Sequence, residues 1–413
     1  MDDNWLTRPI RRALDIALQD TPVVCLLGPR QVGKSSLVKR TAPERIYLDL
    51  DNAELRATAI DDPLGFVNSL PEYVTLDEIQ RTPELMRAIK ISVDNNRKPG
   101  RFILTGSANL LLLPQLSDSL AGRMEIIRLH PLTESEKAEA PGQFLELFLS
   151  GALKTEIRAE TTHDALSIQE RLLKGGFPEA HFRNLTRAQD WQRHYLQSII
   201  ERDVQDVAKV RNVHELSRLL AVLTHQTGSL INVSNLSRDL NLSRVTVDHY
   251  LSILERLFLI RQMPAWHRNG AKRLVKSAKV HFVDSGLCSM LLDLNEDSWN
   301  TKRQQFGSVL ESFVIQQLIA QAGWLDPQLR FWHYRDKDQA EVDCVITKGS
   351  KVWGIEIKAT RSVKTSDAQG LRRLAAIAGK DFQGGIVFYN GNSTLPLGDD
   401  SLMAMPISKL WEL

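Results

Sequence analysis

The sequence predicts an α/β protein of several domains, with helical units set between two sheet-bearing ones. Three observations predict this. Gly28-Pro29-Arg30-Gln31-Val32-Gly33-Lys34-Ser35 fits G-x-x-x-x-G-K-[ST] at each fixed position, directly after the apolar run Val23–Leu27. After about residue 135, short apolar runs give way to apolar residues spaced three to four apart, the helical period. Between 340 and 358 two stretches alternate with period two around Gly349, the pattern of a hairpin.

The bulk numbers narrow the class. A chain of 413 residues is long enough for two to four domains, and 43% hydrophobic and 25% charged residues are ordinary for a globular protein. A net charge of +2 gives no nucleic-acid signal for the whole molecule, so any such signal must be local. Cys25, Cys288 and Cys344 are far apart and form no C-x-x-C, which predicts buried free thiols. No run of about 18 apolar residues exists, so no membrane contact is expected. The start, Met1-Asp2-Asp3-Asn4-Trp5, lacks a signal-peptide pattern, and the expected location is cytoplasmic.

In the first domain, Val23–Leu27 predicts a buried parallel strand and the residues after Ser35 predict a helix. Between them the backbone N–H groups and the helix dipole converge on phosphate oxygens. Lys34 would reach the β/γ-phosphates and Ser35 would hold Mg²⁺. Tyr73–Glu78 predicts a second strand ending in acid, with Asp77 for the metal shell and Glu78 to polarise the attacking water. Arg101–Ser107 predicts a third buried strand, whose Thr105 or Ser107 can sense the γ-phosphate or merely satisfy a turn. Arg123 stands before another apolar stretch. It can stabilise transition-state charge, in a neighbouring subunit of a homo-oligomer, or form a surface salt bridge.

Over residues 1 to about 135 the chain resembles AAA-type P-loop ATPases of the branch with a catalytic Glu after the acidic strand. Gly28, Pro29, Arg30, Gln31, Val32, Gly33, Lys34, Ser35 and Ser36 match that family's phosphate positions; Asp77, Glu78 and Ser107 match its magnesium, water-activating and sensor positions. The resemblance implies ATP rather than GTP, and no guanine-selecting N/T-K-x-D motif is seen.

The middle of the chain predicts helices over 143–149 and 189–207, with Gly175–Pro178 as a turn. Trp191, Tyr195, Ile199, Ile200 and Val204 form one apolar stripe, while Arg202, Asp203 and Asp206 lie off it. This reads as a helical lid. From 214 to 270 the pattern is helix (Glu215–Gln226), short helix (Val233–Leu240), a tight turn at Asn241–Ser243, and a longer helix from Arg244 to about Leu257 capped by Ser243. Leu236, Leu240, Val247, Leu251 and Leu254 would form its core, Arg244, Thr246 and His249 would point outward, and Phe258–Arg268 would hold a wing strand pair. Between Val233 and Lys279 stand nine Lys/Arg (Arg238, Arg244, Arg256, Arg261, Arg268, Lys272, Arg273, Lys276 and Lys279) against three acids (Asp239, Asp248 and Glu255). That basic face suits DNA, although such modules also pack between domains.

The last region carries acids in a fixed order. Glu341 and Asp343 share one face of a strand, and Glu356 and Lys358 share one face of the next. Glu311 lies on an amphipathic helix upstream, and Gln369 begins a helix downstream. Two carboxylates bind Mg²⁺, or Mn²⁺, and a nearby lysine orients the attacking water. Residues 305 to about 390 resemble the PD-(D/E)XK nuclease superfamily, with Glu311, Asp343, Glu356, Lys358 and Gln369 at its motif positions. Ala340-Glu341-Val342 departs from the usual Pro before the acid, and the superfamily also has inactive members.

The joined expectation is a RecA-like P-loop ATPase core (1–135), a helical lid (136–212), a winged helix-turn-helix (213–275) and a restriction-endonuclease-like α/β domain (276–413). This combination resembles a prokaryotic group of AAA-type ATPases whose C-terminal domain has no assigned role. The function expected is ATP-driven action on DNA with metal-dependent cleavage, or an ATP-driven switch docking a protein partner through an inactive C-terminal domain.

Overall fold

The computed structural model of the protein describes residues 5–108, 120–157, 167–204, 212–269 and 277–413. Asp206, Lys272, Arg273 and Lys276 lie outside these residues.

The first domain is a parallel five-stranded sheet in the order β2-β3-β4-β1-β5. Its strands are β1 (Val23–Leu27), β2 (Ile46–Asp49), β3 (Val74–Asp77), β4 (Phe102–Gly106) and β5 (Met124–Arg128). β1, β3 and β4 are buried throughout, as unbroken apolar runs in a parallel sheet should be. The helices Ile10–Asp20 and Leu85–Asn95 contribute apolar side chains to two clusters built on these strands. Gly28, Asp77 and Ser107 all follow or close strands, so the parallel sheet brings them to one edge.

Most helices from Phe144 to Leu325 and one face of the second sheet share one large apolar core, and the other face packs with the Gln369–Ala378 helix in a separate cluster. The large core runs from Phe144 and Leu172 through Leu216, Leu236 and Leu251 to Phe388 and Trp411. The expected helix near 143–149 is Phe144–Ser150, and the stripe of Trp191 and Tyr195 lies on Leu185–Ser198. That helix continues as a π-helical stretch, Ile199–Asp203, a local widening often found at functional sites. Val213–His225, Val233–Leu240 and Arg244–Arg256 follow the expected helix order. Asn241 makes the turn with φ +55°, and Ser243 accepts from the Thr246 amide at 3.0 Å.

The strand pair after these helices differs from the expectation. β6 (Ile260–Met263) has no partner within Phe258–Arg268. It pairs antiparallel with β7 (Lys279–Phe282), from the far side of 270–276. The expected boundary between 275 and 276 therefore falls between two paired strands. Sequence alternation over 258–268 is too short to show which distant segment completes such a ribbon.

The last sheet has the order β12-β13-β11-β10-β9-β8. It contains β8 (Arg330–Arg335), β9 (Glu341–Lys348), β10 (Lys351–Ile357), β11 (Phe382–Tyr389), β12 (Leu395–Asp399) and β13 (Leu402–Pro406). β9 and β10 form the expected hairpin, with Trp353 opposite Ile346 and Gly349 at φ +58° in the turn. The helices Arg303–Leu325 and Gln369–Ala378 both pack on β10, and the first carries Glu311. Cys25, Cys288 and Cys344 are free and buried.

Candidate functional site

The phosphate loop is shaped by two left-handed residues, Gln31 at φ +58° and Gly33 at φ +99°. Gly33 opens the helix Lys34–Thr41 without a side-chain cap, so the first-turn amides have no intrahelical acceptor and face the loop. Gly28 needs its missing side chain, because a Cβ there would collide with the Leu129 carbonyl. The Lys34 ammonium donates to the carbonyls of Gly28 (3.0 Å) and Pro29 (2.8 Å). Burial lowers its pKa to about 8, although Glu78 and Asp77 act the other way.

The Ser35 hydroxyl donates to Asp77 Oδ2 at 2.8 Å, and the hydroxyls of Tyr47 and Thr105 also donate to Asp77. Burial raises the Asp77 pKa above the ordinary aspartate value despite these donors. A serine hydroxyl and a carboxylate at this spacing are the hard oxygen ligands Mg²⁺ prefers, so Ser35 and Asp77 fit the expected metal. Glu78 stands at φ +57°, a region costly for a residue with a side chain and common at active sites. Its carboxylate accepts from Ser107 Oγ at 2.9 Å and from the Gln80 amide, which also donates to Ser107 at 2.8 Å. Thr105 thus belongs to the Asp77 shell and Ser107 to the Glu78 shell.

Arg123 is elsewhere. It precedes β5, opposite the start of β1, and pairs with Asp94 at 2.5 Å. One strand length, roughly 15 Å, separates that edge from its own phosphate loop. The Asp94 pair is the salt bridge given as one of the two expectations for Arg123; because β5 runs parallel to β1, a residue before β5 lies at the edge opposite its own loop.

Sequence reading missed several groups around the loop. Arg8, buried, donates to the Val32 carbonyl (3.0 Å), the His130 carbonyl (2.6 Å) and Glu136 (2.7 Å). A cavity of about 400 Å³ opens beside the loop, with Trp5, Leu132 and Phe182 among its apolar lining and Arg183 among its charged lining. Arg30 pairs with Asp203 of the π-helical stretch at 2.6 Å and lies 3.8 Å from Asp51, while the Tyr195 hydroxyl donates to the Arg30 carbonyl at 3.3 Å. These partners are remote in sequence; Tyr195 and Asp203 stood out there only as a residue on and an acid off one helical stripe, with nothing to tie either to Arg30.

The C-terminal acids do converge, but around a lysine. Lys279 Nζ lies 2.9 Å from Glu311, 2.5 Å from Glu341 and 3.6 Å from Asp343. Burial opposes its charge, yet Glu311, Asp343 and Glu341 together hold its pKa above the ordinary lysine value. Asp343 also accepts from the Ile357 amide at 2.8 Å. Lys358 donates to Glu356 at 2.7 Å, and burial, reinforced by Asp343, pushes the Glu356 pKa up to about 8. Gln369 begins the helix that packs on β9 and β10, where the next residue, Gly370, lies against the Glu341 carbonyl. Among the described residues no group of three or more His, Cys, Asp or Glu is arranged to hold a metal ion. Of the residues expected to hold Mg²⁺ or Mn²⁺, Glu311 and Asp343 share the Lys279 ammonium, and Glu356 accepts from Lys358.

The basic face expected between 233 and 279 is also smaller than its sequence count. Lys279 is buried in the acidic cluster, and Arg261 donates to Gln316 at 2.8 Å. Arg238, Arg244 and Arg268 are exposed, with exposed Asp239 and Asp248 among them. Thr246, expected to point outward, is half-buried beside Ser243 at 2.7 Å.

Comparison with known proteins agrees with the first of these sites. Residues 20–137 match a family model described as AAA domain. Over these residues the N-terminal domain is similar to AAA domains. Residues 165–298 and 306–410 match two domains of unknown function (DUF8612 and DUF4143). The chain is 29% identical over 401 residues to an uncharacterised protein of Mycobacterium tuberculosis, covering 95% of this chain and 82% of that one. It is 24% identical over 370 residues to an uncharacterised protein of Haemophilus influenzae, covering 83% and 84%. A solved Walker-type ATPase of Pyrococcus abyssi is 16% identical, with a TM-score of 0.38 over 68% of this chain and 94% of that chain. The AAA match, together with the Lys34, Ser35, Asp77 and Glu78 arrangement, supports ATPase activity. No helix among the described residues is long and apolar enough to cross a membrane.

Proposed function

We propose that this protein is an ATP-hydrolysing switch in which the helical region reads the nucleotide state and alters contact with DNA. The observation that carries the reading is the Arg30–Asp203 pair, since Arg30 belongs to the phosphate loop and Asp203 to the helical region. A change in charge at the loop then acts on the segment that leads toward the helix-turn-helix order at 213–256.

In the AAA domain the loop amides and Lys34 bind the triphosphate, and the cavity between Trp5 and Phe182 takes the adenosine end. Ser35 and Asp77 hold Mg²⁺, which supplies charge neutralisation on the phosphate oxygens. Glu78 accepts the proton of the attacking water, and Ser107 and Gln80 orient its carboxylate. The second helix of the tandem, Arg244–Arg256, presents Arg244, Val245 and His249 to solvent and would meet DNA through that face.

A protein partner is the second reading. It is favoured by the mixed charge on that same helix, where Asp248 stands beside His249. Salt decides between the two. DNA affinity that falls steeply with salt and weakens in Arg244→Ala supports the first reading; ATP hydrolysis unmoved by DNA, with no salt-dependent binding, supports the second.

A further inference from the structure

The acidic cluster of the C-terminal domain already contains a cation, and that cation is a side chain. Lys279 is 2% exposed, and its ammonium has three donors facing carboxylates of Glu311, Glu341 and Asp343. These acids come from two elements, the Arg303–Leu325 helix and β9, while the lysine comes from β7 of the neighbouring ribbon. The lysine therefore lies where a divalent ion bridging Glu311 and Asp343 would have to sit. A second cation there would be repelled at close range in a medium that screens poorly.

The backbone fixes this placement. On one side of β7, the Ile231 amide donates to the Ala278 carbonyl at 2.8 Å and the Gly228 amide to the Val280 carbonyl at 2.7 Å. Gly228, at φ +74°, closes over Glu311, whose Oε2 would lie 3.0 Å from any Cβ there. Beyond β6, the Trp266 amide donates to the His333 carbonyl at 2.6 Å and the His333 amide to the Pro264 carbonyl at 2.9 Å, which joins the ribbon to β8. Two residues after Lys279, His281 meets Ser312 at 2.9 Å, one residue from Glu311. The lysine thus stands in the middle of a bonded seam between the ribbon and the C-terminal domain.

We propose that Lys279 is the resident counter-ion of this cluster, and that Glu311, Glu341 and Asp343 form a cradle that docks the β6–β7 ribbon instead of a divalent-metal centre. The C-terminal domain then holds the helix-turn-helix segment and does not cleave phosphodiesters through these acids. This inference stands apart from the ATP-switch reading, because neither the phosphate loop nor nucleotide enters it.

Mn²⁺ titration of the nucleotide-free full-length chain tests it, in an Asp77→Asn background that silences the phosphate-loop metal site. The expected result is no bound Mn²⁺ that responds to a further Asp343→Asn change. Lys279→Ala should then gain one Mn²⁺, bound about tenfold or more tighter than any site in the parent and lost again with Asp343→Asn. Mn²⁺ binding by the Lys279-containing protein that disappears with Asp343→Asn overturns the proposal, and this arm needs no lysine variant to fold. Lys279→Met, which keeps most of the stem, provides a second readout by hydrogen exchange. Faster exchange confined to β6, β7 and the Gly228 turn supports the cradle, and unchanged exchange there overturns it.

Discussion

Replacing Asp203 by Asn is expected to tighten ATP binding. Arg30 and Asp203 lie 2.6 Å apart with side chains 27% and 10% exposed, so the pair is intermediate between a surface and a buried bridge. Surface pairs couple by about 0.2–1 kcal/mol, and breaking a buried pair costs about 3–5 kcal/mol. About 1–2 kcal/mol is therefore reasonable here, a factor of roughly 5–30 in an equilibrium constant. Asp51 is a weaker competitor for Arg30, at 3.8 Å, and is itself held by Arg81 at 2.9 Å. Removing the Asp203 charge leaves the Arg30 guanidinium available to a triphosphate and takes a negative charge away from Lys34, which feels it. The assay is a double-mutant cycle on ATP affinity with Asp203→Asn, Arg30→Ala and the pair, at fixed salt and Mg²⁺. Asp203→Asn should bind ATP about 5–30-fold tighter, and most of that gain should vanish when Arg30 is also replaced. An unchanged or weaker affinity in Asp203→Asn, or a gain that survives Arg30→Ala, would refute the reasoning.

Other expectations follow from single sites. Lys34→Met should abolish ATP binding yet stabilise the nucleotide-free protein at pH 7 by about 1–3 kcal/mol, after allowing about 1 kcal/mol for each lost carbonyl bond. The sign follows from a folded pKa of about 8 against 10.5 unfolded: burying the charge costs stability below pH 8, and wild-type stability rises between those values, where the folded state has released the proton that the unfolded state still binds. Denaturant melts at pH 7 and pH 10.5 should show the Met advantage shrinking at the higher pH. Glu78→Gln should keep ATP affinity while steady-state hydrolysis falls about 10²–10⁴-fold, and near-normal turnover would displace Glu78 from its role. Gly28→Ala should lose nucleotide binding, read by fluorescent-nucleotide titration, because the added methyl meets the rigid Leu129 carbonyl. Arg244→Ala should weaken DNA binding across sequences and reduce the salt slope by about one, if the exposed end of that helix contacts phosphate.

Much of the N-terminal domain was legible because its signals are local. The P-loop spacing places Lys34 and Ser35, and the apolar strand before Asp77 places Glu78. The parallel sheet then brings both to one edge. Arg123 shows the limit: nothing in a strand's own sequence says which end of the sheet its flanking residue will occupy. The helix-turn-helix boundaries were readable from period and capping, with Val233–Leu240 and the Ser243 cap as expected. The ribbon was not, because β6 and β7 are joined through 270–276 and neither strand alone shows its partner. Lys279 was counted as part of a basic face for the same reason. Its burial depends on Glu311 and β9, contacts between residues 32 or more positions away along the chain. Glu341 and Asp343 were placed on one face of a strand, and that geometry holds; what the alternation could not show is that the group arriving between them is an ammonium.

The claim that ATP state governs contact with DNA is tested most directly by DNA affinity in three states of one protein: Glu78→Gln with ATP, wild type with ADP, and wild type without nucleotide. Affinities should differ by about tenfold or more between the ATP and ADP states and fall steeply with salt in the tighter one. Equal affinities in all three, or no salt-dependent binding in any, would contradict it.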